Sequence, residues 1–272
     1  MGATQSDALN ALTDMIRAEM AERQDLCILG VAGSQGSGKS TLAAGLKVRL
    51  EKEAVPVALL SIDDLYRTRA EREELARTVH PLLRTRGVPG THDVALGLEV
   101  IGTLKRGDAA LLPRFDKAID DRLPQDRWEK AAAGTRLLIL EGWCVGAQPQ
   151  DVQMLTAPIN RLEAEEDGDG RWRQFVNHAL AVDYPSLFAQ IDLLAFLAAP
   201  SFDVILRWRI QQEQDLRKSS SAALAVMDDD AIARFIQNYE RLTRQMLAEM
   251  PGHADLTIWL DVDRGIQAIE RH

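Results

Sequence analysis

The chain contains 272 residues with a formal net charge of −9, and 46% of its residues are hydrophobic. This acidic balance argues against general nucleic-acid binding, because a phosphate backbone attracts cationic surfaces. No apolar run approaches the ~20 residues that a membrane-spanning helix needs. We therefore expect a globular protein that acts on a small molecule and has no nucleic-acid or membrane partner, and the sequence leaves its oligomeric state open.

The two cysteines, Cys27 and Cys144, are too few for a disulfide framework or a zinc site. Residues 1–24 alternate charged and apolar positions at helical spacing and lack the apolar core of a signal peptide. These features predict an N-terminal helix and a reducing, cytoplasmic location.

Five short apolar runs alternate with helical segments, at residues 26–32, 56–61, 136–141, 191–197 and 256–261. Such alternation is typical of α/β proteins in which a central parallel sheet has helices on both faces. No linker or repeat divides the chain, so residues 1–272 are predicted to form a single domain.

Residues 78–122 are rich in Pro, Gly and charge around one helical segment at 94–105. They predict a substrate-side insertion at the strand ends, where ligands bind in such sheets. The arginines between positions 67 and 86 are expected to lie mostly on a solvated helix face. The acidic stretch 163–170 is expected to be an exposed loop.

A phosphate-binding loop follows the first apolar run and precedes a helical segment. The sequence from 33 to 41 contains the complete pattern G-x-x-x-x-G-K-[ST], in which backbone N–H groups surround phosphates, a lysine reaches the β- and γ-phosphates and a hydroxyl binds Mg²⁺. ATP and Mg²⁺ are therefore the expected ligands. The predicted nucleotide-binding residues are Gly33, Ser34, Gln35, Gly36, Ser37, Gly38, Lys39, Ser40 and Thr41.

Carboxylates follow two other apolar runs. Asp63 and Asp64 end the second run, where a base for an acceptor hydroxyl belongs, although an aspartate there is equally suited to cap a turn. Glu141 ends the third run, as in a Walker B segment, which would place it with Ser40 at the metal.

The remaining charged clusters each have a structural alternative. Residues 202–221 are predicted to be a lid region whose arginines close over the phosphates, but Arg209 and Glu213 also fit an exposed helical ion pair. In the segment 86–93, either Thr91 or Asp93 is suited to cap the next helix, and a lone histidine such as His92 is more often structural than catalytic. The segment 113–122 also fits a plain surface loop.

Together these segments resemble the P-loop kinase group that contains phosphoribulokinase, uridine kinase and bacterial pantothenate kinase. Within it the chain is most similar to the D-glycerate 3-kinase family of plants and its fungal and bacterial relatives. The resemblance rests on the motifs at 33–41, 61–66, 80–93, 113–117, 140–146 and 207–213. Two positions depart from the family pattern, since Phe115 replaces the usual tyrosine and Ala118 the usual serine.

The resemblance implies a P-loop NTPase fold and transfer of phosphate from ATP to D-glycerate, giving 3-phosphoglycerate. It implies catalytic roles for Asp63, Lys39 and Arg209, with Asp63 acting on the acceptor hydroxyl, and Mg²⁺ ligation by Ser40 and Glu141. The substrate-binding residues that it implies are Asp64, Tyr66, Arg86, His92, Asp93, Asp116, Lys117 and Arg122.

Two alternatives stay open at this point. Pantothenate, a nucleoside and a sugar phosphate are competing acceptors for a kinase with this loop, and a regulator that binds ATP without turnover would share Lys39 and Ser40. A GTPase is disfavoured, because the sequence lacks an N-K-x-D guanine motif.

Overall fold

The centre of the protein is a six-stranded sheet in the computed structural model, which describes residues 3–219 and 229–272. The strands in chain order are β1 (Cys27–Gly33), β2 (Val57–Ser61), β3 (Ala110–Leu112), β4 (Phe115–Asp116), β5 (Asp121–Arg122), β6 (Glu129–Ala131), β7 (Leu137–Gly142), β8 (Leu193–Ala198), β9 (Leu256–Leu260) and β10 (Ile266–Arg271). The central sheet has the order β10-β9-β8-β1-β7-β2, and β3 with β6 and β4 with β5 form two short antiparallel pairs outside it.

The first five strands of this sheet along the chain are parallel, and β10 runs antiparallel to β9 at one edge. The predicted P-loop NTPase fold is therefore confirmed, and the predicted strands agree with the observed ones to within two residues. The strand β10 was not predicted, because it lies at the edge, carries no fully buried residue and so shows no apolar run.

The helices are α1 (Gln5–Ala21), α2 (Lys39–Lys52), α3 (Arg69–Thr78), α4 (Val94–Lys105), α5 (Arg161–Glu166), α6 (Arg171–Val182), α7 (Pro185–Phe188), α8 (Phe202–Ser219) and α9 (Asp229–Glu249). They cover both faces of the sheet. Consecutive side chains of a strand point to opposite faces, so Ile28 packs in the core with Ile101 of α4 while Leu29 packs in the core with Leu46 of α2. Within residues 3–219 and 229–272, no helix has both the length and the apolar character needed to cross a membrane.

The segment 78–122 contains α4, whose bounds coincide with the predicted helix at 94–105, and the hairpin formed by β4 and β5. The predicted lid region, 202–221, corresponds to α8 over most of its length, and its residues 220 and 221 lie outside the described residues.

The prediction that residues 163–170 form an exposed loop is wrong for the helical part and for the two carboxylates at 163 and 167, whereas positions 164–166, 168 and 169 are exposed. The segment includes the end of α5, and the carboxylates of Glu163 and Asp167 are fully buried. Arg241 donates two hydrogen bonds to Glu163, at 2.8 and 2.6 Å, and Arg173 donates to Asp167 at 2.8 Å. Buried carboxylates are stable only with such partners, and the sequence did not indicate the distant Arg241.

Arg72 of α3 is also buried, contrary to the expected solvated face, with its side chain 1% exposed. Its guanidinium donates to the backbone carbonyls of Arg67, Arg84 and Asp120 at 3.2, 2.7 and 2.6 Å, and to the Asp120 carboxylate at 3.0 Å. One side chain therefore connects three segments that flank the sheet edge.

We expect Arg72→Met to lower the free energy of unfolding by about 3 kcal/mol, because it leaves several polar groups without a donor. The control Arg77→Met lies on the same helix, where the arginine is 72% exposed, and should change stability by less than about 0.5 kcal/mol. Urea unfolding of the two variants measures this difference, and equal losses would contradict the cross-linking role of Arg72.

Candidate active site

The phosphate-binding loop connects the buried strand β1 to α2. Gly36 and Gly38 have φ values of 78° and 90°, in the left-handed region that glycine adopts without strain. The helix α2 begins at Lys39, no described side chain caps it, and its first turn contains no acidic residue. Its first N–H groups and its positive dipole end thus favour an anion.

Three side-chain polar atoms of the same loop are buried without a hydrogen-bond partner among the described residues. They are the hydroxyls of Ser34 and Ser37 and the Oε1 of Gln35. Buried polar groups are normally satisfied, so this set is consistent with a site built for a polar ligand.

The structure places Ser40 next to Glu141, the acidic residue of β7. The Ser40 hydroxyl donates to Glu141 Oε1 at 3.1 Å, while Glu141 Oε2 is buried and has no partner in the part of the chain that the structure describes. A hydroxyl and a carboxylate are the hard oxygen ligands that Mg²⁺ prefers, so these two residues fit the ion.

Asp63 lies in a 3-10 turn at the end of β2, beside the phosphate-binding loop. Its Oδ1 accepts from the Tyr66 hydroxyl at 2.8 Å and its Oδ2 from Lys117 Nζ at 2.6 Å. Burial alone would raise the pKa of the Asp63 carboxyl, but the charges of Lys117 and Lys39 and the Tyr66 hydrogen bond outweigh it and lower the pKa to about 2. Asp63 is therefore an anion at neutral pH, within the electrostatic reach of Lys39.

Asp64, the next residue, has a different environment. Its Oδ1 accepts from the backbone N–H of Phe115 and its Oδ2 from Arg114, both at 3.0 Å. Burial raises the pKa of this carboxyl. Both oxygens hold the β4 strand against the end of β2, so Asp64 positions the hairpin, and its predicted contact with substrate stays a prediction.

Tyr66 and His92 form a buried stacked pair, with ring centroids 4.7 Å apart. The Nδ1 of His92 is hydrogen-bonded to the Tyr184 hydroxyl, which also accepts from the backbone N–H of Gly90 at 3.1 Å. Burial lowers the pKa of His92 to about 4, so the ring is neutral, and its Nε2 has no partner among the residues described.

Three other predicted substrate residues have well-defined structural contacts. Asp93 caps α4 by accepting from the backbone N–H of Leu96 at 3.1 Å, and its second oxygen accepts from Arg122 at 3.1 Å. Arg122 also donates to the Tyr66 carbonyl at 2.9 Å. Asp116 accepts from the backbone N–H of Ala118 at 2.8 Å and shapes the turn of the hairpin. Their predicted substrate contacts stay predictions.

Arg86 lies over the ring of Phe115, with its guanidinium carbon 5.5 Å from the ring centroid. The edge of the same ring meets Tyr66, at 5.2 Å between centroids. The guanidinium of Arg86 also forms an ion pair with Asp120, a residue that the sequence did not indicate. Arg86 and Asp63 therefore lie at the two ends of one short aromatic row.

Tyr239 of α9 connects these groups to the lid region, and the sequence gave no signal for it. Its hydroxyl donates to the Arg86 carbonyl at 3.2 Å. Burial and Asp63 raise the pKa of the Tyr239 phenol, while Arg86 and Arg209 oppose that rise. The charges of Asp63, Arg86 and Arg209 thus all act on the phenol of Tyr239, and the predicted role of Arg209 in the lid stays a prediction.

Several known proteins are similar to this chain in sequence or in fold. Residues 28–156 match the phosphoribulokinase / uridine kinase family. The uncharacterised kinase mug58 of Schizosaccharomyces pombe is 36% identical over 222 residues, which cover 78% of each chain. The chloroplastic D-glycerate 3-kinase of Arabidopsis thaliana is 27% identical over 253 residues, 87% of this chain and 53% of that protein. The structure of D-glycerate 3-kinase from Cryptococcus neoformans superposes with a TM-score of 0.80, at 23% identity and with 97% and 99% of the two chains covered.

The buried, neutral His92 should make stability depend on pH. Its pKa is about 4 in the folded state against 6.5 for an unperturbed ring, so the unfolded chain takes up a proton first as the pH falls. The contribution of the neutral His92 to the free energy of unfolding is complete above pH 6.5. It is lost between pH 6.5 and 4, by at most about 3 kcal/mol.

Urea unfolding at pH 7, 5.5 and 4.5 tests this expectation. His92→Gln should lose less stability than the wild type over this range, whereas the control His178→Gln, at an exposed position, should follow the wild type. A His92→Gln variant with the wild-type pH dependence would contradict the assignment.

Proposed function

The chain belongs to the phosphoribulokinase / uridine kinase family, and we propose that it phosphorylates the 3-hydroxyl of D-glycerate with ATP. Membership makes it a P-loop kinase, a phosphotransferase for a small molecule. The observation that carries the proposal is the ionised Asp63, which lies within electrostatic reach of Lys39 and at one end of the aromatic row that leads to Arg86.

The donor side is assigned to the phosphate-binding loop. The N–H groups at the start of α2 and of residues 33–38 would surround the phosphates, and Lys39 would contact the β- and γ-phosphates. Ser40 and Glu141 would hold Mg²⁺, which would neutralise part of the negative charge of the phosphates. Arg209 would add a further positive charge there.

The acceptor side is assigned to Asp63. Its carboxylate would orient the acceptor hydroxyl and take its proton as the hydroxyl oxygen bonds to the γ-phosphorus. The bond from that phosphorus to the bridging oxygen breaks, and ADP leaves. For this step the acceptor must replace Lys117 as the partner of Asp63 Oδ2.

The acceptor is proposed to be D-glycerate because its carboxylate matches Arg86 and its hydroxyl matches Asp63, the residues at the two ends of the aromatic row. A guanidinium such as that of Arg86 binds a carboxylate through two parallel hydrogen bonds, and Asp63 accepts from a hydroxyl. The Arabidopsis relative, named as a D-glycerate 3-kinase, supports the same substrate class.

A direct test compares ATP consumption with D-glycerate, pantothenate, uridine and ribulose 5-phosphate. We expect turnover with D-glycerate at millimolar concentration and a product that is 3-phosphoglycerate. Turnover with only one of the other acceptors would contradict the proposed substrate and keep the kinase assignment. ATP binding without turnover of any acceptor would favour a regulatory role.

Asp63→Asn should lower kcat by about 10²–10⁴, because a positioned base contributes an effect of this size. Its affinity for ATP should change little, since the loop 33–41 is untouched. The matched control Asp64→Asn keeps an acceptor for the Phe115 N–H and should act mainly on the KM of the acceptor. If instead Asp64→Asn lost kcat and Asp63→Asn kept it, the two assignments would be reversed.

A further inference from the structure

We propose that Asp120 is an internal competitor for the anionic group of the acceptor, and that it sets acceptor affinity by occupying Arg86 in the empty enzyme. The inference rests on the proposed function, in which Arg86 receives the acceptor carboxylate. Neither the sequence motifs nor the contacts of the phosphate-binding loop assign any role to Asp120.

The position of Asp120 does not depend on Arg86. Its backbone lies in the left-handed region, with φ of 56°, and the buried Arg72 holds both its carbonyl and one oxygen of its carboxylate. The other oxygen, Oδ1, pairs with Arg86. Arg72 therefore holds the Asp120 carboxylate in the position where it contacts Arg86.

The pair of Arg86 and Asp120 is accessible to a small solute. The two side chains are 27% and 36% exposed, so solvent screens their attraction. Ion pairs of this kind contribute at most about 1 kcal/mol, and an incoming carboxylate can replace one anion by another at little cost. The ring of Phe115 supports Arg86 from one face, so the guanidinium keeps its place during such an exchange.

The same hairpin also provides a cation, Lys117, at the end of the aromatic row where Asp63 lies. Lys117 binds the Oδ2 of Asp63 at 2.6 Å, and Asp120 binds Arg86, with only two residues between them in the chain. Lys117 and Asp120, both in the turn between β4 and β5, thus bind the two groups that a hydroxy acid would use, Asp63 and Arg86. A small acceptor that carries a carboxylate and a hydroxyl can displace both contacts together.

Two variants remove the competing charge, together with the contact between Arg72 and the carboxylate, and suit the left-handed backbone of Asp120. In Asp120→Asn the side chain is uncharged and asparagine adopts the left-handed region readily, and in Asp120→Gly the side chain is absent and that conformation is unstrained. Both keep the carbonyl that Arg72 contacts. The control Asp126→Asn has the same change of charge at an exposed position just after the hairpin.

We expect both variants to lower the KM for D-glycerate about two- to fivefold, which corresponds to the loss of a partly exposed ion pair. The kcat and the KM for ATP should be unchanged, and Asp126→Asn should match the wild type. A residue that only positioned Arg86 would give the opposite sign, so an unchanged or higher KM in folded variants would overturn the proposal.

Binding of D-lactate provides a measurement that does not depend on turnover. D-lactate has the carboxylate and the 2-hydroxyl of D-glycerate and lacks the 3-hydroxyl. If the wild type does not phosphorylate D-glycerate, the proposed substrate fails, and an NMR titration with D-lactate decides the role of Asp120. Tighter binding to Asp120→Asn than to the wild type supports competition at Arg86, whereas equal or absent binding overturns it.

Discussion

The parallel arrangement of three adjacent strands is the constraint on which the rest of the site depends. In the order β1-β7-β2, each strand is hydrogen-bonded to the next, and Glu141 stands level with Val31 on one side and Ser61 on the other. Parallel strands present their carboxyl ends at the same edge, so the segments that follow them must meet there. The phosphate-binding loop, Glu141 and Asp63 converge for this reason, although more than 100 residues separate the first from the second along the chain.

At this edge the balance between desolvation and positive charge separates the roles of two consecutive carboxylates. Burial opposes ionisation of both Asp63 and Asp64. Lys117 and Lys39 overcome that effect at Asp63, whose pKa falls, whereas Arg114 and a backbone N–H do not overcome it at Asp64, whose pKa rises. Adjacent positions of one turn thus provide a partly exposed carboxylate that suits the proposed base and a less exposed carboxylate that holds the hairpin. Neither residue type nor spacing indicates this difference.

Features that depend on near neighbours in the chain could be predicted from the sequence. The loop at 33–41, the strands of the sheet and the helix at 94–105 each have a local pattern, and each agrees with the structure. Contacts between distant segments could be predicted only where two motifs indicate them together, as for Ser40 and Glu141, which are 101 residues apart. Glu163 was expected to be exposed because its partner Arg241 is 78 residues away, and Tyr239 reaches the site from α9, 153 residues from Arg86. The pairing of Asp120 with Arg86 and Arg72 likewise depends on three segments that meet only in the folded chain.

The two halves of the site are held by different kinds of interaction, and this difference bears on selectivity. The donor side is part of the sheet, where backbone hydrogen bonds fix β1 and β7 whatever the side chains are. The proposed acceptor side includes a two-stranded hairpin held by side chains, through Arg72 on Asp120 and Asp64 on the Phe115 N–H. A substitution in the hairpin therefore alters the groups that face the acceptor while the phosphate-binding edge keeps its geometry. Phe115 illustrates the point, since its ring contacts Tyr66 and Arg86 through its edge and face and needs no hydroxyl to do so.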